Sequence, residues 1–124
     1  ISTHREISAA VINVSGRQRM LCQRTALLSL QLVCSQTPVE QEQLRQELLA
    51  TIDLMEKAHN GLLNGDRDLN LPEHPSAVVQ AMYFEPPLEL DRHIRTYIAE
   101  VQALVQDEAA KLNQDNPHLR HILN

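Results

Sequence analysis

Asn13-Val-Ser-Gly-Arg-Gln-Arg-Met-Leu-Cys-Gln-Arg24 sets three arginines and a glycine inside what its flanks require to be a long amphipathic helix. Ile7, Val14, Leu21 and Leu28 recur every seven residues, with Val11 and Leu32 at alternate positions, so one seam of the helix faces other helices. The unusual residues lie off that seam. At about 100° per residue, Ser8, Ile12, Ser15, Gly16, Arg19, Cys22, Gln23 and Ala26 form a second stripe of mostly small side chains interrupted by one charge. Such a stripe allows a second helix backbone to approach closely, and Arg19 would then stand at the contact. Arg17 and Arg24, seven apart, share a different face, with Asn13 near it. They are expected to pair with carboxylates such as Glu85, Glu89 or Asp91.

The remaining chain reads as more helix. Thr37-Pro-Val-Glu40 is a helix start, with threonine as N-cap, proline at the first helical position and glutamate completing a capping box. The helix runs through Leu44, Leu48, Ile52, Met55 and Leu62 to Gly65, which suits a left-handed C-cap. Residues 66–75 read as loop, and a short helix from Ser76 to Phe84 is broken by Glu85-Pro-Pro87. From Glu89 the pattern Ile94, Ile98, Val101, Leu104, Val105 predicts a helix to about Asn113, after which Asn116-Pro117 caps and starts another.

Composition agrees with one small domain spanning residues 1–124. With 43% hydrophobic residues but two tyrosines, one phenylalanine and no tryptophan, the core must be aliphatic. A net charge of −5 disfavours nucleic acid or an anionic membrane surface as partner. Locally the balance reverses: residues 13–34 hold three positive charges and no negative one, a positive island suited to an anion. No run of about 18 apolar residues exists. Cys22 and Cys34, twelve apart on one helix, are about 18 Å apart along its axis and beyond disulfide reach. Each reads as a free thiol, and a bridge between subunits through Cys22 is the alternative.

Metal and enzymatic readings find little purchase. Glu56-Lys-Ala-His59 has the Glu-x-x-His spacing of carboxylate-bridged di-iron bundles but lacks the second copy and the further glutamates such centres need. Asp66-Arg-Asp-Leu-Asn70 begins like a calcium loop, yet Leu71 stands where glycine is required and Ala77 where glutamate is. His118 and His121 share a face near the chain end and read as solvated. No nucleophilic triad or phosphate-cradling glycine loop is present, so neither an enzyme nor a bound cofactor is expected.

The arginine run resembles the signature of the PilJ/NarX-like sensor domains, the extracytoplasmic input modules of methyl-accepting transducers, histidine kinases and nucleotide cyclases. The family motif reads approximately Asn-x-x-Gly-Arg-Gln-Arg-Met-Leu-Ser-Gln-Arg, from which this chain departs at Cys22. Further matches are Met55-Glu-Lys-Ala-His-Asn-Gly-Leu-Leu-Asn-Gly65 and Tyr83-Phe-Glu-Pro-Pro87 with Leu90-Asp91. The resemblance implies an all-α antiparallel bundle of the four-helix type, with part of the fourth helix falling outside this sequence. It implies transmembrane helices flanking a periplasmic domain of an inner-membrane receptor.

In nitrate-sensing members the anion lies between the first helices of two subunits, held by the arginine before the motif methionine, here Arg19. The expectation is therefore a homodimer that senses a nitrate- or nitrite-like oxyanion through Arg19, with Ser15, Gly16 and Gln23 lining the site. Asn13, Arg17, Cys22 and Arg24 are secondary candidates. Two facing guanidinium groups repel by roughly a few kcal/mol at intermediate dielectric, and a planar oxyanion converts that repulsion into charge-assisted hydrogen bonds. The alternative is a bundle without ligand, serving as dimerisation spacer or reading a partner protein.

Overall fold

The computed structural model describes residues 8–124, so Ile7 lies outside the described residues. Five α-helices follow in order: α1 (Ala9–Cys34), α2 (Pro38–Asn64), α3 (Ala77–Phe84), α4 (Leu90–Gln106) and α5 (Pro117–Leu123), with a 3-10 turn at Ala109–Lys111. The described residues contain no strand, only an isolated bridge between Asp66 and Leu71. The chain is an all-α bundle, and the seam read from the sequence faces its interior. Val14, Leu28 and Leu32 are buried, and Val11 and Leu21 are half-buried.

The helix ends follow local chemistry. Ser8 accepts from the Val11 N–H at α1 and Thr37 from the Glu40 N–H at α2, each satisfying a donor that the first turn leaves orphaned. Ser76 does the same for Val79 at α3. Gly65 ends α2 at φ 92°, and a Cβ there would lie 2.6 Å from Glu73 Cα, so glycine is required for both conformation and space. Asn116 Oδ1 accepts from His118 and Leu119 N–H, with Pro117 opening α5.

The helix expected to reach Asn113 stops at Gln106. The apolar period does continue, since Leu112 is buried, but it arrives there through a 3-10 turn. The reason lies on α2. Arg45 donates to the carbonyls of Val105 and Asp107, supplying ligands for the last turn of α4, and Asn116 Nδ2 holds the Asp107 carboxylate at 2.8 Å.

The tertiary order follows from these ends. α1 and α2 form an antiparallel hairpin joined through Ser35–Thr37, and α4 runs antiparallel to α2, with Arg45 near Val105 and His59 near Asp91. α5 packs on α4 and α1, leaving α1 and α4 diagonal. The larger aliphatic cluster holds Leu32, Leu48, Ile52, Met55, Val101 and Leu104, each at most 1% exposed, and takes in Leu119 and Ile122 from α5. Burial of each such side chain stabilises the fold by about 1.5–3 kcal/mol. A smaller cluster at the other end joins Val14, Ala58, Leu62, Leu71, Val79 and Tyr83.

Candidate ligand-binding face on the first helix

Two buried polar residues fix the rotation of α1. Gln18 is 6% exposed and donates from Nε2 to the Met55 carbonyl at 2.9 Å, tying α1 to α2. One heptad later Thr25 is fully buried; its hydroxyl donates to the Cys22 carbonyl at 2.8 Å and lies 2.6 Å from the Tyr97 hydroxyl. Tyr97 also donates to the Cys22 carbonyl at 3.0 Å, so α4 reaches α1 across the diagonal. Burial raises the pKa of the Tyr97 phenol, which keeps it a donor. With Gln18 and Thr25 turned inward, Ser15, Gly16, Arg19 and Gln23 are directed outward, and all four are exposed.

They share that face with an apolar stripe. Ile12 (59% exposed), Met20 (67%), Leu27 (56%) and Leu30 (41%) stand on the same side of α1. Of the stripe expected from the sequence, Ser8, Ile12, Ser15, Gly16, Arg19 and Gln23 are exposed, whereas Cys22 and Ala26 are not. Both are half-buried against the larger cluster, and the exposed line continues instead through Leu27 and Leu30. Burial raises the Cys22 thiol pKa, so this sulfur is a neutral packing group held off the exposed face.

The arginines divide by environment. Arg24 pairs with Glu47 of α2 at 3.5 Å instead of the expected Glu85, Glu89 or Asp91. Of those acids, Glu89 pairs with Arg92, and Asp91 with His59 and Arg95. Arg17 and Asn13 line a shallow cavity with Asp68, Leu69 and Asn70 of the loop after α2. Arg17 and Arg19 form no ion pair among the described residues. A Cβ built on Gly16 meets nothing within 4 Å among the described residues, so no contact with them requires glycine there.

The sequence reading passed over Gln18, Thr25 and Tyr97. A signal was present, because Gln18 and Thr25 occupy the alternate positions of the seam that Val11 and Leu32 begin and end. A polar residue at such a position must find a partner inside.

The first helix thus has one face fixed inward by buried polar ties and an exposed face that is largely apolar with Arg19 at its middle. A sequence model of the PilJ family, described as "Type IV pili methyl-accepting chemotaxis transducer N-term", matches residues 1–121, and the chain belongs to this family. It is a sensor domain of the chemotaxis-transducer kind. No curated protein and no solved structure matches. Among the described residues no helix is long and apolar enough to cross a membrane.

Proposed function

We propose that this domain senses a small planar oxyanion of the nitrate or nitrite kind where two copies pair through α1. Arg19 of each subunit grips the anion, and Ser15, Gly16 and Gln23 line the site. The observation that carries this reading is Arg19 itself: an exposed guanidinium without an ion-pair partner among the described residues, in the middle of an exposed apolar stripe. Alone in water it needs no explanation. Flanked by Ile12, Met20 and Leu27, it marks a surface suited to meeting its own copy, since a two-fold contact places like residues near like residues.

The unpaired Arg19 charges would oppose such a dimer until an anion bridges them. Ligand affinity and helix packing are then one equilibrium, as a receptor requires. Gly16 fits the same reading as a point of close approach for the partner backbone. Gln18 and Thr25 couple α1 to α2 and α4, so a shift of α1 against its mate propagates into the bundle and, through flanking membrane helices of a periplasmic receptor, inward.

Calorimetric titration with nitrate, nitrite and a carboxylate panel, in buffer free of competing anions, tests the proposal. The expected result is saturable heat at one anion per dimer that Arg19→Ala abolishes. Silence from a folded dimer across the panel would instead favour a dimerisation spacer or a reader of a partner protein.

A further inference from the structure

Between the first turns of α1 and the loop that follows α2 lies an open cavity of about 420 Å³, walled by Asn13 and Arg17 on one side and by Asp68, Leu69 and Asn70 on the other, with Val14 beneath. Asn13 and Arg17 are one helical turn apart and both are exposed. The opposite wall is held in shape by its own hydrogen bonds. Asp66 and Leu71 exchange both backbone hydrogen bonds, at 3.2 and 2.8 Å, and Asp66 Oδ1 accepts from the Leu69 N–H at 3.2 Å. Asn70 turns the chain at φ 57°, a left-handed conformation that asparagine tolerates. Gly61 of α2 provides the seat, because a Cβ there would lie 2.9 Å from Leu71 Cδ1 and 3.5 Å from Leu69 Cδ1. The wall is therefore fixed before any ligand arrives, which lowers the cost of binding one.

Opposite charges line this cavity without pairing with each other. The Asp68 carboxylate pairs with Lys57 at 3.3 Å, and Arg17 forms no ion pair among the described residues. Arg17, Asp68 and Lys57 together leave one positive charge in excess, so the complementary ligand is a monoanion. A guanidinium fork with a carboxamide beside it suits a carboxylate, whose two oxygens accept from the fork in parallel. The rest of the lining is aliphatic. Val14 is buried and Leu69 half-buried in the smaller core cluster, and the surface they leave uncovered borders the cavity. A bare inorganic anion would satisfy Arg17 and leave that surface wet, whereas a short aliphatic tail would cover it.

We propose that this cavity is a second ligand site, contained within one subunit, for a short-chain aliphatic monocarboxylate of the propionate and butyrate kind. The carboxylate accepts from the Arg17 guanidinium and the Asn13 amide, and the tail lies over Val14 toward Leu69. A dicarboxylate or a phosphate dianion is disfavoured, because its second charge would face Asp68. Arg17 and Arg19 are two residues apart and so project to nearly opposite flanks of α1. The site needs no second copy and stands apart from the Arg19 contact. Occupancy ties the start of α1 to the loop at the end of α2.

The test is an NMR titration of the whole chain with acetate, propionate and butyrate in buffer free of other anions. The expected result is saturable shifts at the Arg17 Nε–H, the Asn13 side-chain amide and the Leu69 methyls, with affinity rising about two- to fourfold for each added methylene. Arg17→Gln keeps a long helix-forming side chain, circular dichroism verifies its helices, and it should bind butyrate about tenfold more weakly or worse. Arg19→Ala should bind all three acids as the wild type does. No saturable shift at these groups in the folded chain would overturn the proposal, as would affinity in Arg17→Gln equal to wild type. Equal affinity for the three acids would overturn it too, since that is what a bare exposed arginine gives. Shifts confined to Gln23 and lost in Arg19→Ala would also overturn it, by placing the carboxylate on the other flank of α1. Because Arg19→Ala is predicted to lose nitrate binding and keep this one, failure of either site is distinguishable from failure of the other.

Discussion

Tyr97 and Asp91 carry the buried polar economy of the bundle. Removing the Tyr97 hydroxyl takes one partner from both Thr25 and the Cys22 carbonyl while those two keep their own bond. Tyr97→Phe is expected to cost about 1 kcal/mol and to lower Tm by about 4 °C in a thermal melt, with helical content unchanged. Asp91 makes a pH-dependent contribution. Its folded pKa is lowered, so the stability it supplies is present above the ordinary carboxylate pKa of about 3.9 and is lost as pH falls through the folded value. Denaturant unfolding of Asp91→Asn should show lower stability than wild type at pH 7, by about 1–3 kcal/mol for the disturbed buried partner. The gap should narrow below about pH 4. A constant gap across that range would assign the loss to packing. These residues were the least legible part of the sequence. Arg95, four residues on along the same helix, was a partner legible from spacing alone, but nothing in the sequence distinguishes His59 from Arg17 or Arg24 as the partner of Asp91. That choice is made by the side of α4 that the bundle turns toward α2.

At the scale of single helices the sequence was more informative, because caps and periodicity are local. Thr37, Gly65, Ser76 and Asn116 mark ends that the structure keeps. The end of α4 was misjudged because its cap comes from Arg45, sixty residues away from Val105. The outward stripe of α1 was half legible for a similar reason. A period of 3.6 places Cys22 and Ala26 at its margin, and only the packing of α5 and α4 decides which margin is buried. Gly16 makes the role of that face measurable. With open space around its missing Cβ, Gly16→Ala should stabilise the isolated subunit by up to about 1 kcal/mol through helix propensity. If α1 pairs closely with its copy, the same change should weaken dimerisation. Unfolding at low concentration and sedimentation at high concentration would read the two effects separately, and improvement in both would exclude close approach at Gly16.

For the molecule as a whole, one island of positive charge on a chain of net charge −5 has to be reconciled with an exposed apolar face. The proposed pairing through α1 would bury the apolar stripe and concentrate like charge on the axis, a conflict that the proposed anion would resolve. Binding and assembly are then thermodynamically linked, so an anion that prefers the dimer must tighten it. Sedimentation equilibrium of the wild-type domain and of Arg19→Ala, each with and without nitrate at constant ionic strength, measures that linkage directly. The account predicts that nitrate tightens the wild-type dimer and that Arg19→Ala, relieved of its repulsion, pairs without nitrate and no longer responds to it. A wild-type association constant indifferent to nitrate, nitrite and carboxylates alike would contradict it.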